Sequence, residues 1–202
     1  PGPAPQPEPE PTPEPNPAPM PDPEPTPVPT VSIGGYGHGT DEGESIVATG
    51  TWSIIFAEGG DDIVLGQDGF DFLDGGKGND MLFGRGGSDF LLGGEGDDTL
   101  DGGEGRDFLF GDAGDDLMIG GGGSDMFLYN GGNDTISDFA VGTDVLVLNP
   151  DLLHSSGIAT TAVSDMFTIT NGNAVLNLGD GNSITLAGLT DTTGLDVYSF
   201  FC

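Results

Sequence analysis

Large apolar residues recur at every ninth position between residues 57 and 137, through nine consecutive units without insertion or deletion. Counting Ala57 as the first position, the eighth position of every unit is apolar: Val64, Leu73, Leu82, Leu91, Leu100, Leu109, Met118, Phe127 and Ile136. Side chains on a strand alternate between its two faces. The pattern therefore predicts very short strands, in which position eight points inward while positions seven and nine point outward.

The first six residues of each unit are mostly polar or glycine. Position four is always glycine, namely Gly60, Gly69, Gly78, Gly87, Gly96, Gly105, Gly114, Gly123 and Gly132. Position six is always aspartate, namely Asp62, Asp71, Asp80, Asp89, Asp98, Asp107, Asp116, Asp125 and Asp134. Glycine reaches positive φ at little cost, so this half of the unit predicts a tight turn with inward carbonyl groups. Three invariant positions at one period identify a repeat fold.

Two units make one coil of 18 residues, which places the apolar eighth positions in two facing stacks. Turns on the same edge then lie 18 residues apart, so that Asp62 faces Asp80 and Asp71 faces Asp89. Nine turns give seven such slots, each lined by carboxylate and carbonyl oxygen. Calcium takes about six to eight oxygen ligands in flexible geometry, whereas magnesium keeps its waters. All nine position-six aspartates are therefore predicted to bind Ca²⁺, in about seven or more ions.

The unit can be written G-G-x-G-x-D-x-U-x, where U is a large apolar residue. Gly75–Phe83, Gly93–Asp101 and Gly102–Phe110 match it at every fixed position. This nonapeptide resembles the RTX repeat of hemolysin-type calcium-binding proteins, which forms a parallel β-roll. After the last unit, Asn133–Asp144 resembles the exit segment of that family, and Leu176–Leu189 resembles the short hairpins that follow it.

The resemblance also implies a route and a place of action. Proteins of this family leave Gram-negative bacteria in one step through a type I secretion ABC exporter, with an uncleaved signal at the extreme C-terminus. Asp196–Phe201 is similar to such a signal, although the final Cys202 departs from it. Rolls of this family stay unfolded at low cytosolic calcium and fold outside. The resemblance therefore predicts an extracellular protein whose calcium binding and folding are one event.

Four further segments flank the predicted roll at 57–137. Proline fills every odd position from Pro1 to Pro29, so residues 1–30 are predicted to be a disordered polyproline II linker. Because the sequence starts at Pro1 without methionine, we expect an upstream domain. Residues 31–56 predict a glycine-rich lead-in and a degenerate starting coil, residues 138–190 a C-terminal β cap, and residues 191–202 the secretion signal. The predicted fold class is all-β, a parallel β-roll with a C-terminal β-hairpin cap.

Local patterns support the flanking segments. Ile46 and Ile55 keep the phase of position eight upstream of the strong repeats, without the glycines. Downstream, Met166–Thr170, Ala174–Leu178 and Ser183–Leu186 alternate in strand fashion between turn signals. A short helical turn is predicted near Leu152. We expect the hairpins to cover the last strand of the roll, because an open strand edge invites association.

The net charge of the chain limits the partners that it can bind. The chain has 34 acidic and 3 basic residues, with a formal net charge of −31. The sequence contains no basic patch, so nucleic acid is not expected as a partner, and no apolar run long enough for a membrane span. The compact state repels itself, and bound divalent cations would offset part of that charge. Metal binding and folding are therefore predicted to be coupled.

Catalytic patterns are sparse. No HExxH or G-x-S-x-G motif is present, and His38 and His154 are far apart in glycine-rich or connecting sequence. The sequence predicts no enzyme within this chain, although its parent could be a secreted hydrolase, protease or epimerase. Two alternatives stay open: the roll attaches a parent enzyme to an extracellular polysaccharide, and Asp138 and Asp144 hold a further ion. Tyr36 and Trp52 are expected to pack the starting coil rather than to bind sugar.

Overall fold

The computed structural model describes residues 30–155, 166–195 and 197–199. Most of the predicted Pro-rich linker, part of the connection between residues 151 and 165, and part of the predicted secretion signal, including Cys202, lie outside the described residues. These described residues form a parallel β-solenoid of about seven turns with almost no helix. The predicted all-β roll is thereby confirmed.

Short strands follow one another at the repeat spacing. The first ten strands are β1 Thr30–His38, β2 Ser45–Phe56, β3 Ile63–Leu65, β4 Phe70–Lys77, β5 Met81–Phe83, β6 Gly86–Gly87, β7 Phe90–Glu95, β8 Thr99–Gly105, β9 Phe108–Ala113 and β10 Leu117–Gly123. The remaining elements are β11 Met126–Tyr129, β12 Asn133–Ile136, β13 Val145–Leu148, helix α1 Pro150–Ser155, β14 Thr168–Thr170, β15 Asn173–Gly179, β16 Asn182–Leu186 and β17 Val197–Ser199.

The strands stack in two faces with a register of 18 residues. On the first face, β3, β5, β8, β10 and β12 pair in parallel, so that Val64 lies beside Leu82 and Leu82 beside Leu100. On the second face, β4, β7, β9 and β11 pair in the same way, with Leu73 beside Leu91. The predicted coil of two units is therefore the repeating element of the fold.

The core lies between the two faces. All nine position-eight side chains of the strong repeats are fully buried, and Ile46 and Ile55 extend the two stacks upstream. Positions seven and nine point outward, where Phe72, Phe90 and Phe108 form a column of rings about 5.6 Å apart on the second face. Aromatic rings at this spacing contribute beyond the area that they bury. The outer surface of this face is therefore itself a packed layer.

The glycine-rich lead-in is a strand. β1 pairs in parallel with β2 along both faces, with a break in register between Ile33 and Gly35. Tyr36 and Trp52, expected to pack the starting coil, lie largely outside it, with 60% and 51% of their surfaces exposed. Both still contact the coil from outward positions, since the Tyr36 ring lies edge-on to Phe56 at 6.1 Å between centroids and the Trp52 ring lies over Gly35.

The C-terminal cap closes both faces. β14, β15 and β16 form antiparallel hairpins, and β16 pairs in parallel with β12. The turn residues Asn171, Gly172, Asp180 and Gly181 all have positive φ, as two-residue hairpin turns of the favoured type require. On the second face, β17 pairs in parallel with β13, which itself pairs with β11. The last strand of each stack is thus covered, and the helical turn near Leu152 is present as α1.

Candidate metal centre

The position-six aspartates form two columns, one along each edge of the roll. Within a column, the backbone N–H of each aspartate donates to Oδ1 of the aspartate 18 residues further on, over 2.7–3.2 Å. The first column contains Asp62, Asp80, Asp98, Asp116 and Asp134, and the second contains Asp71, Asp89, Asp107 and Asp125. All nine side chains are at most 2% exposed. The seven aspartate pairs expected from the 18-residue coil are therefore adjacent in the structure.

The second carboxylate oxygen is the unusual feature. Oδ2 is buried and has no hydrogen-bond partner in eight of the nine residues: Asp62, Asp80, Asp89, Asp98, Asp107, Asp116, Asp125 and Asp134. Buried polar atoms normally have a partner, and an exception calls for a missing ligand or ion as its explanation. Asp71 differs, because its Oδ2 accepts from the backbone N–H of Gln67 at 2.8 Å.

Glycine at position one makes room for these oxygens. A Cβ placed on Gly84 would lie 2.5 Å from Asp89 Oδ2 and 2.6 Å from the carbonyl oxygen of Gly102, in the next turn. The same crowding recurs at Gly66, Gly75, Gly93 and Gly102. A side chain there would fill the space in which the carboxylate of one turn meets the carbonyl of the next. The glycine is thus required by space, and it preserves a small cradle of oxygen atoms.

Burial makes the charged form of these carboxylates costly in the absence of a cation. Desolvation, together with neighbouring carboxylates, raises the pKa of Asp62, Asp89 and Asp98 to about 7. It raises the pKa of Asp134 to about 8, although the N–H of Asp116 partly opposes the shift. The pKa values of Asp80, Asp107, Asp116 and Asp125 are raised for the same reasons. A counter-charge next to Oδ2 would remove this cost.

The donor set fits calcium. Each cradle combines hard oxygen atoms from a carboxylate and from backbone carbonyls, which is the ligand chemistry of Ca²⁺. In the described part of the chain, no three His, Cys, Asp or Glu side chains converge on one metal position. A bound ion would therefore take most of its oxygen ligands from the backbone, with one or two aspartates supplying the charge.

The ends of the columns are closed by protein groups instead. Upstream, Glu44 Oε2 accepts from Thr40 N–H at 3.0 Å, and Ser53 Oγ donates to Asp71 Oδ1 at 2.6 Å. Downstream, Asp144 takes the place of the next aspartate, with Oδ1 accepting from Asp125 N–H and Oδ2 from Ala140 N–H.

Asp138 is saturated in a similar way. Its two carboxylate oxygens accept from the backbone N–H groups of Gly120 and Gly121, at 2.9 and 2.7 Å. Neither Asp138 nor Asp144 has a carboxylate oxygen left without a partner. The hypothesis that they hold a further ion is therefore not favoured by their geometry.

A second ladder of hydrogen bonds, formed by position-five side chains, was not predicted from the sequence. On the first edge, position five is always Asp or Asn, and its side chain accepts the N–H of the residue 18 further on, from Asp61 through Asn79, Asp97 and Asp115 to Asn133. These groups are exposed. The signal was present, because every second unit carries a carboxylate or amide immediately before its invariant aspartate.

Exposed aromatic side chains mark the start of the second edge. Trp52 pairs in register with Phe70, which is 54% exposed, and the Trp52 ring lies over Gly35. Nearby, His38 stacks on Phe56 at 5.1 Å between ring centroids and contacts Glu58 at 2.5 Å. His38 therefore packs against the outer surface of the first coil and stays partly exposed. The side chain of His154 lies outside the described residues.

A family model agrees with this repeat geometry. The family described as RTX calcium-binding nonapeptide repeat (4 copies) matches residues 38–73, 56–91, 92–127 and 101–136. Among solved structures, the extracellular lipase LipA from Serratia marcescens is similar, with 19% identity and a TM-score of 0.35. That match covers 81% of this chain and 40% of the lipase chain. No curated protein matches the chain. No helix in the described residues is long and apolar enough to cross a membrane.

Proposed function

Since the chain belongs to the RTX calcium-binding nonapeptide repeat family, we propose that its β-roll folds when calcium binds outside the cell. In that role the roll is the C-terminal export and stabilising module of a larger secreted protein. The repeat domain itself is a structural calcium-binding module and not a catalytic one.

The observation that carries the proposal is the set of eight buried, unpartnered Oδ2 atoms. The position-six aspartates would hold Ca²⁺ with these atoms and with the carbonyl groups of the adjacent turn. When bound, calcium supplies positive charge and oxygen coordination between successive turns. The aspartates themselves hold neighbouring turns in register, because each Oδ1 accepts an N–H from the turn before.

Charge gives the reason for coupling folding to the metal. With a formal net charge of −31, compaction brings many carboxylates together, and each divalent ion offsets two of those charges. A site that forms only in the folded chain adds its binding free energy to folding. Low cytosolic calcium would therefore keep the chain unfolded for export, and the higher calcium outside would fold it.

The same proposal divides the chain by role. Residues 1–30 link the module to an upstream domain, and residues 31–56 start the roll. Residues 57–137 bind calcium and residues 138–190 cap the roll. Residues 191–202, which include β17 on the second face, carry the signal read by a type I secretion ABC exporter.

Calcium titration of the full chain tests the folding step. We expect far-UV circular dichroism to show a cooperative gain of β signal with a midpoint at about 10⁻⁴–10⁻³ M, the usual range of extracellular calcium modules. Magnesium at the same concentrations is the control and should produce little change. A β-rich spectrum in calcium-free buffer at pH 7.5 would contradict the proposal.

Secretion tests the export step separately. In cells that carry a type I exporter, we expect the full chain to reach the medium and a chain lacking residues 191–202 to stay inside. Both proteins are then titrated with calcium, because a truncated chain that still folds isolates the effect on export. Equal secretion of the two chains would refute the assignment of the signal.

The exposed aromatic side chains favour a second candidate function, binding of a neutral extracellular polysaccharide. Tyr36, Trp52 and Phe70 are each more than half exposed near the start of the roll, and exposed apolar patches mark interaction sites. The net charge disfavours a polyanion. Affinity electrophoresis through soluble neutral glucans with calcium present should show retardation that Trp52→Ala abolishes and Met81→Ala, on the first face, retains. Unretarded migration in every glucan would exclude this function.

A further inference from the structure

One of the nine invariant aspartates is already saturated by the protein. Oδ1 of Asp71 accepts from the hydroxyl of Ser53 at 2.6 Å, and Oδ2 accepts from the backbone N–H of Gln67 at 2.8 Å. The side chain is fully buried. In the other eight aspartates Oδ2 has no partner. Asp71 therefore lacks the feature that indicates a missing cation.

Among the units that begin with glycine, the conformation of position two separates the Asp71 turn from the others. Seven units begin with glycine, and in six of them position two has positive φ: Gly76, Arg85, Gly94, Gly103, Asp112 and Gly121, at 71–115°. Gln67 is the exception among these described turns and keeps a negative φ. φ is the rotation about the N–Cα bond of position two. A change in φ therefore reorients the peptide group between positions one and two relative to the carboxylate of the position-six aspartate. In the Gln67 turn, that peptide presents its N–H to Asp71.

An N–H group in this place opposes a cation. Its hydrogen carries partial positive charge and occupies one of the two lone pairs that Oδ2 could offer to a metal. The carbonyl oxygen of Gly84 still lies beside the cradle, 2.7 Å from a Cβ built on Gly66. A calcium ion between these turns would first have to break the hydrogen bond between Gln67 and Asp71 and rotate the peptide.

The same closure recurs where a column ends. Thr40 N–H donates to Glu44 and Ala140 N–H donates to Asp144, in each case from four residues before the carboxylate, as Gln67 does to Asp71. Glu44 lies immediately before the first column and Asp144 immediately after the second. Asp71 begins the second column, although its unit carries the invariant glycine and aspartate. The carboxylate of Asp71 is therefore hydrogen-bonded in the same way as those of the end turns.

We propose that the turn from Gly66 to Asp71 is a self-closed end turn, and that the slot between Asp71 and Asp89 holds no calcium in the folded roll. Asp71 then positions the chain, while the other slots take the ions. The inference rests on the proposed function, because it assumes that the remaining position-six aspartates bind calcium.

Native mass spectrometry of the full calcium-loaded chain tests the inference by ion count. Gln67→Gly permits positive φ at position two, so we expect it to bind one more calcium ion than the wild type. Arg85→Gly is the matched control, since Arg85 already has φ 77°, and its ion count should equal that of the wild type. Equal counts for Gln67→Gly and the wild type would overturn the inference.

A second pair of variants keeps the test independent of how Gln67→Gly folds. We expect Asp89→Asn to lose at least one bound ion and Asp71→Asn to lose none, although both should lower the melting temperature. Loss of an ion from Asp71→Asn would overturn the inference while leaving calcium binding by the roll intact. A wild-type chain that binds no calcium would instead refute the proposed function, and this inference with it.

Discussion

The middle of the roll and its two ends satisfy the same kind of carboxylate in different ways. In the middle, Asp98 Oδ1 accepts the N–H of Asp80, and Oδ2 is buried without a partner. At the downstream end, both oxygens of Asp144 accept backbone N–H groups. At the upstream end, the oxygens of Glu44 accept from Thr40. The carboxylates at the ends thus have protein partners, whereas those in the middle keep a buried oxygen that a cation would complete.

This difference follows from how a solenoid is built. Each repeat contacts only its neighbours, and terminal repeats need special residues to cap the stack. A middle turn has a turn on either side, whose carbonyl groups can share an ion with it. An end turn lacks one neighbour, so its carboxylate acceptors are filled by local donors such as Ala140 N–H. Its backbone donors are filled by the cap, where Asn182 Oδ1 accepts from Gly132 N–H.

The largest effect should be that of pH, because the eight aspartates whose Oδ2 has no partner titrate together. Their pKa values are raised in the folded chain, to about 7 for Asp89 and about 8 for Asp134. The folded state therefore binds more protons than the unfolded chain between about pH 4 and 8, and its metal-free stability rises as pH falls.

With calcium present, the pH dependence of stability has the opposite sign, because protons compete with the ion for the same carboxylate oxygens. We expect calcium-stripped protein to gain β signal between pH 7.5 and 5, while apparent calcium affinity falls over that range. Circular dichroism in metal-free buffers and calcium titrations at each pH measure the two trends. If metal-free stability instead fell on acidification to pH 5, the claim that the folded chain raises the pKa of these carboxylates would be contradicted.

A single middle aspartate should have the next largest effect. Asp98→Ala removes an oxygen from the cation cradle and leaves the buried N–H of Asp80 without an acceptor, which alone costs about 1–3 kcal/mol. In calcium, we therefore expect a loss of more than about 3 kcal/mol in unfolding free energy and loss of at least one bound ion. Urea unfolding and native mass spectrometry measure both. A variant with wild-type stability and ion count would contradict the account.

The glycine at position one tests the oxygen cradle by steric crowding and not by charge. In Gly93→Ala the new Cβ would meet Asp98 Oδ2 and the carbonyl oxygen of Gly111, and overpacking typically costs about 1–3 kcal/mol. Gly181→Ala is the control in the cap, where a Cβ has no neighbour within 4 Å and only its φ of +84° is unfavourable. We expect calcium affinity to fall in Gly93→Ala alone, as measured by titration. Equal affinities in the two variants would argue against the cradle.

The smallest expected effect is at the capped end. Asn182→Ala removes the acceptor of Gly132 N–H, so we expect a loss of about 1 kcal/mol in unfolding free energy. Calcium stoichiometry should not change, because the cap satisfies its own groups. Denaturant melts in saturating calcium and ion counting provide the test. Loss of an ion would show that the cap belongs to the metal-binding part of the roll.

The period of nine in the sequence predicted the coil, the two core stacks and the adjacency of aspartates 18 residues apart. Each rests on a strict pattern, such as the apolar residue at position eight from Val64 to Ile136. The hairpin turns at Asn171 and Asp180 were equally readable, since both precede a glycine.

What could not be predicted lies in peptide orientation and in side-chain exposure. Glu58 and Arg85 adopt positive φ, whereas Gln67 does not, and nothing in these residue types distinguishes them. Whether Trp52 packs inward or stays half exposed depends on its place in the outer row, and the degenerate coil obscured that phase. Local sequence therefore indicates where the buried carboxylates lie, but it does not reveal the peptide orientation that gives Asp71 Oδ2 its backbone partner.

Hydrogen exchange of the full chain at pH 7.5, with and without calcium, tests the central claim most directly. The backbone N–H groups of Asp80, Asp89 and Asp98 donate to carboxylates of the next turn. We predict strong protection of these amides in saturating calcium, and a loss of at least about a hundredfold in calcium-free buffer as the middle of the roll opens. Protection that stays unchanged when calcium is removed would contradict the claim that cations complete the middle of the roll.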